Sequence, residues 1–251
     1  MIGRSTAVAG ALAVIAACTP ALPARAPSLT VAGSELVLTT RDGRALRSAD
    51  LVGALLVIGA RTVRLDAVDR GPGARDPVLR HRFVVVDPAG GTAPLCEPDA
   101  EGERWAMPVL DAHQQVQLVC SSGAIAKCVQ WGYPPLPGAP AARALHEACV
   151  RMVRADYAGT GATATRDGTR IEFCDLAGVH ACPGDDRRLE AAWSPRGATC
   201  VVRPRIAALM TLGQLAERVP RLVGHLGPQA CSVVGASRDH ALLFSFVPEP
   251  G

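Results

Sequence analysis

CSSGAIAKC (120–128), WGYP (131–134), LHEACVRMVRADY (145–157), TRDGT (165–169) and EAAWSPRGATC (190–200) make up the stretch that decides the fold, and a helix lies at its centre. Pro140 suits a first helical position and Gly159 suits the residue just past an end, so the start and stop signals bracket 140–157. At about 100° per residue, Ala141, Leu145, Ala148, Cys149, Met152 and Val153 share one face, while Arg143, Glu147, Arg151 and Arg154 cluster opposite. This is an amphipathic helix laid on a core. Asp156 falls inside the apolar arc and in the last turn, where the helix dipole disfavours a carboxylate. A buried charge there needs compensation, from backbone N–H groups of the following loop or from an arginine. The competing reading makes Asp156 an acid or base beside His146 and Tyr157. No nucleophile or metal cluster accompanies these three, so the structural reading of Asp156 leads, and His146 and Tyr157 at the edge of the arc read as packing residues.

The 251 residues suffice for one large domain, and 49% hydrophobic content is ample for a core. Lys127 is the one lysine among 26 basic residues, and aromatics are 4%, a profile of GC-rich coding. The arginines are scattered and nearly balanced by 23 acids, leaving +3, which is not the clustered footprint of a nucleic-acid binder.

Residues 1–18 read as a lipoprotein signal peptide. Arg4 supplies positive charge, Ala7 to Ala17 an apolar stretch too short to cross a bilayer, and Ile15-Ala16-Ala17-Cys18 a lipobox whose cysteine is acylated before cleavage. Cys18 is thus the lipidation site and the membrane the first partner. Thr19 is not the aspartate associated with inner-membrane retention, which favours the outer membrane of a Gram-negative bacterium; an ordinary signal peptide cut after Ala26, giving a secreted protein, is the alternative. Residues 19–28, TPALPARAPS, form a Pro/Ala-rich tether, and 29–251 a single globular domain.

From Leu29 to Cys120 the pattern is of short strands: Glu35–Thr40, Leu55–Ile58, Thr62–Val68, Arg82–Val86 and Val116–Cys120, punctuated by Gly, Pro and Asp. After the central helix, Asp167-Gly168 between 162–166 and 169–173 signals a two-residue hairpin. A helix over Leu212–Val219 stops before Pro220, and Ala241–Val247 closes the chain as a strand. The fold class expected is α+β, with a β-rich N-terminal half, one central amphipathic helix and a β-hairpin, held by disulfides.

With Cys18 assigned to lipid, Cys96, Cys120, Cys128, Cys149, Cys174, Cys182, Cys200 and Cys231 remain, an even set in an oxidising compartment. Spacing favours Cys120 with Cys128 and Cys174 with Cys182 as local pairs, each closing a loop worth roughly 2 to 3 kcal/mol. Zinc on His146 and Cys149 with Cys120 and Cys128, or with His180 and Cys182, is the weaker alternative because paired C-x-x-C spacing is missing. The chain therefore reads as holding no metal and no cofactor.

The segments quoted above, in the order KC, GY, LH-x-AC-x-RM-x-RADY, DGT and AAW-x-P-x-GA-x-C, resemble the ADYC-domain family of bacterial exported proteins, with the core of the resemblance at about 96–231. The naming tetrapeptide stands here as Ala155-Asp156-Tyr157-Ala158. Where the family has cysteine this chain has Ala158, so the partner of that cysteine is either free here or re-paired, with Cys174 or Cys182 as the candidates. The resemblance implies no catalytic residues. The reading that results is a lipid-anchored envelope protein acting as a binding or structural module toward an envelope protein or glycan; the alternative is an exported hydrolase or other small-molecule enzyme using Asp156, His146 and Tyr157. All eight cysteines other than Cys18 should be oxidised in the mature protein. Thiol counting under denaturing, non-reducing conditions checks this, and two or more free thiols per chain would contradict it.

Overall fold

The computed structural model describes residues 26–71, 78–111, 113–182, 188–231 and 240–247. Cys18 and the signal segment lie outside them. The described chain is a β-rich α+β fold with three α-helices and four disulfides.

Strands β1 (Ser28–Ala32), β2 (Glu35–Thr39) and β3 (Ala45–Arg47) form an antiparallel sheet in sequence order. The Thr40–Arg44 turn between β2 and β3 is the one its TRDG sequence announces, and Gly43 closes it at φ +83°, a conformation that favours glycine. β1 begins inside the segment read as tether; Leu29 and Val31 alternate inward with polar neighbours, a signal masked by the prolines before them. A short 3-10 turn, Ser48–Leu51, leads into a six-stranded antiparallel sheet of β4 (Leu55–Ile58), β5 (Arg61–Gly71), β6 (Val78–Val86), β7 (Thr92–Pro94), β8 (Ala106–Leu110) and β9 (Val116–Cys120). Its order is β4-β5-β6-β8-β9, with β7 beside β6. The two sheets enclose Leu36, Leu51, Leu56, Val63, Leu65 and Phe83. β8 runs against its sequence signal, because Pro108 argues against a strand interior. In the sheet, β8 pairs with β9 along its length but meets β6 only at Ala106 opposite His81, so there is little ladder on that side for a proline to interrupt.

Helix α1 (Ala124–Gln130) packs Ala126 and Val129 on Met107 and Val109 of β8, joining the N-terminal sheets to the helical layer. Helix α2 (Pro140–Arg154) covers one face of a four-stranded antiparallel sheet made of β10 (Glu172–Asp175), β11 (Leu189–Ser194), β12 (Gly197–Val201) and β13 (Leu243–Phe246), ordered β10-β13-β11-β12. Alternation decides the faces. Ala191, Trp193 and Leu243 point toward Met152 and Cys149 of α2, while Ala192, Phe244 and Phe246 point away into a second layer with Cys174 and Cys200. Helix α3 (Leu212–Arg218), capped by Thr211 and Gln214, inserts Leu215 and the following Leu222 beside α2. Asp167-Gly168 does make a turn, with Thr169 N–H bonded to Arg166 C=O, but no strands flank it as a hairpin; β10 starts at Glu172 and pairs with distant β13. Among the described residues no helix is long and apolar enough to cross a membrane.

The bridges are Cys96–Cys120, Cys128–Cys149, Cys174–Cys182 and Cys200–Cys231. The local pair Cys120–Cys128 is therefore not formed. Cys120 ends β9 in the N-terminal core, whereas Cys128 sits on α1 facing α2, and the turn at Gly123 sends the two thiols into different layers. Cys174 and Cys182 bridge one another, so neither takes up a partner stranded by Ala158, and the thiols that a zinc site would need are consumed.

Among the described residues, His81 and His146 are buried without an ion-pair partner, and burial outweighs the pull of Glu35 on the one and Glu147 on the other. His81 is fully buried, its Nε2 lies 2.8 Å from Ser48 Oγ, and desolvation lowers its pKa to about 4. His146 is lowered in the same way, against the opposing pull of its bond to the Tyr133 carbonyl. Both stay neutral in the folded protein, while in the unfolded chain they take up protons near pH 6.5; the unfolded state binds more protons, so stability falls as pH drops from about 6.5 toward 4. Asp66 beside Arg64 and Asp69 beside Arg80 are held below the ordinary carboxylate range, so their acid sensitivity begins lower. Denaturant melts at pH 7 and pH 5 should show a loss of stability that shrinks in His81→Gln, and an unchanged loss would contradict the assignment.

Candidate functional site

The end of α2 is where the family-like tetrapeptide lies. The helix stops at Arg154, three residues earlier than its sequence suggests, because Ala155 takes a left-handed conformation at φ +50° and ψ +41°. Asp156 N–H then bonds to Arg151 C=O (2.9 Å) and Ala155 N–H to Met152 C=O (3.1 Å), the paired closure of a Schellman ending. Glycine or asparagine usually fills the left-handed position, so Ala155 carries no mark of it in the sequence. The turn takes Asp156 out of the helix and aims its carboxylate at the next loop.

That carboxylate is fully buried. Its Oδ1 accepts from the N–H groups of Gly159 (2.9 Å) and Thr160 (3.1 Å), and its Oδ2 accepts from Gly161 N–H (2.7 Å) and Arg151 Nη1 (2.5 Å). Arg151 in turn donates through Nε to Pro195 C=O, at the β11–β12 connection. Four charge-assisted or backbone donors satisfy the charge with no acceptor capacity left facing solvent.

Tyr157 points the opposite way, into the core, 1% exposed. Its ring stacks on Trp193 of β11 with centroids 5.2 Å apart. Its hydroxyl donates to Glu190 Oε1 (2.7 Å) and accepts from Arg205 N–H (2.7 Å). Arg205 Nε donates to the other Glu190 oxygen (3.0 Å), and its Nη1 and Nη2 reach the Val153 and Met152 carbonyls at 3.1 and 2.8 Å. Glu190 and Arg205 side chains are 0% and 3% exposed, a buried ion pair whose remaining donors cap the last turn of α2. Burial, then the adjacent Glu190 carboxylate, pushes the Tyr157 phenol well above its ordinary range, so it stays protonated.

Backbone contact completes the corner. Tyr157 C=O accepts from Ala198 N–H and, with the Ala158 and Arg196 carbonyls, from Arg221 Nη2. Burial lowers the Arg221 guanidinium pKa, with Arg196 acting in the same direction and Asp156 opposing. Gly159 and Gly197 pass so closely that a Cβ on Gly159 would stand 2.0 Å from the Arg196 carbonyl oxygen.

His146 belongs elsewhere. It is 7% exposed, and its Nδ1 lies 2.7 Å from the Tyr133 carbonyl. Tyr133 OH donates to Asp175 Oδ2 (2.8 Å), which also accepts from His180 N–H, while His180 Nε2 contacts the Trp131 carbonyl. The three weak catalytic candidates thus fall into separate bond sets: Asp156 in its loop, Tyr157 on Glu190 and Arg205, His146 on Tyr133. Sequence reasoning missed Glu190, Arg205 and Asp175. Glu190 is the lone carboxylate of β11, which is a readable signal, but Asp175 shares the four-residue β10 with Glu172, and Arg205 in RPRIA is indistinguishable from a surface arginine. No group of His, Cys, Asp and Glu among the described residues is arranged to hold a metal ion.

Of known families, the one described as the ADYC domain matches residues 33–207, a span that runs from β2 through β12. No curated protein and no solved structure matches the chain.

Asp156→Asn keeps the shape but sets an NH2 against N–H donors. Losing one buried charge-assisted set should cost roughly 1.5 to 3 kcal/mol, several degrees of melting temperature in a domain of this size. An unchanged or raised melting temperature under non-reducing conditions would contradict the structural role.

Proposed function

This chain belongs to the ADYC-domain family, and from that premise we propose that it is an envelope lipoprotein, anchored through a lipid on Cys18, whose folded domain serves as a binding or structural module rather than an enzyme. The observation that carries the reading is the fate of the three polar side chains at and near the family tetrapeptide. Asp156, Tyr157 and His146 are 2%, 1% and 7% exposed, and each is committed to internal partners. A hydrolytic site would need them to converge on an open cleft with a free lone pair or proton. Here the phenol is held protonated, the carboxylate is saturated by donors and the imidazole is tied to a backbone carbonyl.

Four disulfides fit a domain that works in an oxidising compartment, as the lipobox implies. The Pro-rich segment 19–28 then links the lipid to β1, and its C-terminal residue, Ser28, already pairs in the first sheet. The partner class is an envelope protein or glycan, and the membrane is reached through the anchor alone.

Mass spectrometry of the mature N-terminus should show a diacylated or triacylated Cys18, and Cys18→Ala should leave the precursor unprocessed or release the protein from membranes. An unmodified mature chain beginning near Pro27 would overturn the anchoring.

A further inference from the structure

We propose that the open groove between α1, the end of α2 and residues 163–172 binds a segment of acidic polysaccharide. The groove measures about 680 Å³, within the range of ligand-binding clefts. This rests on the binding-module reading and gives it a ligand class.

The groove concentrates unspent cations. Lys127 of α1, Arg154 at the end of α2, and Arg166 and Arg170 of the loop all line it, and none of the four has an ion-pair partner among the described residues. The arginines of the neighbouring corner differ, since Arg151 and Arg205 are paired to Asp156 and Glu190. Thr163, Thr165 and Thr169 line the same groove. Glu101, Asp167 and Glu172 also line the groove, and Glu172 is already engaged in an interaction of its own. Donors therefore outnumber free acceptors along the wall, and the complementary ligand carries negative charge together with hydroxyls.

Shape narrows the class. The cations come from three separate elements spread along an open groove, so they match charges repeated along a chain better than one compact phosphate. Nucleic acid has repeated charge as well, but the groove's one aromatic, Trp131, already has Phe173 packed against it at a tilt of 34° with centroids 4.5 Å apart, so the row of stacking platforms that successive bases need is missing. A uronic-acid chain needs only carboxylate partners for lysine and arginine and hydroxyl partners for threonine, which is what the wall supplies.

The full mature chain is titrated with hexagalacturonate, with neutral maltohexaose and with phosphatidylglycerol vesicles. Binding to hexagalacturonate is expected, weakening as salt rises from about 50 to about 300 mM, and absent for maltohexaose. Arg166→Ser combined with Arg170→Ser changes two exposed loop residues and should lower affinity at least about tenfold with the melting temperature unchanged. Lys127, the single lysine, reports occupancy directly, because bound hexagalacturonate should protect its amine from acetylation. Equal binding by the double variant, equal binding of maltohexaose, or binding to the vesicles alone overturns the assignment. Immobilised chain that retains isolated envelope components equally well with and without the two substitutions overturns the groove while leaving the binding-module reading; retention of nothing by wild type overturns both.

Discussion

A left-handed residue with no glycine at it forces the chain out of α2 and drives two polar side chains, Asp156 and Tyr157, into the protein in opposite directions. Neither can remain unpaired there, since a buried carboxylate or phenol without partners costs more than a typical hydrogen bond returns. The surrounding structure supplies the partners. Asp156 gathers three backbone N–H groups of the loop 159–161 and the Arg151 side chain; Tyr157 gathers Glu190 from β11 and Arg205 from the segment after β12. Helix, loop, hairpin and the 202–206 segment are thereby fixed to one another. Such a network adds little net stability relative to a well-packed apolar replacement, but any single break leaves an uncompensated charge, so it specifies one arrangement.

Packing around the corner reflects a composition poor in aromatics. Alanines at 148, 155, 164, 191 and 198 fill much of the core between α2 and the sheet, with Trp193, Tyr157 and Met152 as its large members. Small side chains allow close backbone approach, carried furthest where Gly159 meets Gly197. They bury less apolar area per residue, and the disulfides supply constraint in compensation. Cys128–Cys149 fastens α1 to α2, Cys96–Cys120 the six-stranded sheet, and Cys174–Cys182 with Cys200–Cys231 the far face of the four-stranded sheet.

What was legible in the sequence was local. Alternation located β2, β-type runs bounded by Gly, Pro and Asp located β4, Pro140 located the start of α2, and a proline marked the end of α3. What was hidden depended on distant residues. The helix end was misplaced because Ala155 has no intrinsic sign of a left-handed conformation and Gly159 looked like the stop. Cys120 and Cys128 seemed paired by spacing, although a strand end and a helix face turn them apart. β11, LEAAWS, is buried along nearly its whole length because it lies inside its sheet, paired with β12 on one side and with β13, about fifty residues later, on the other, while α2 covers one face. That Asp156 needed compensation could be argued from its position; that Glu190 and Arg205 would serve Tyr157 could not, since their pairing exists only in the fold.

Native-state hydrogen exchange reads the corner most directly, because the amides of Gly159, Thr160, Gly161 and Arg205 are the donors that the two side chains hold. If the corner locks helix to sheet, these loop amides exchange only through global unfolding, with the same free energy as Met152 in the helix core. Exchange through local opening, at the low free energy of the exposed 166–170 loop, would show that the corner decorates the fold and does not hold it.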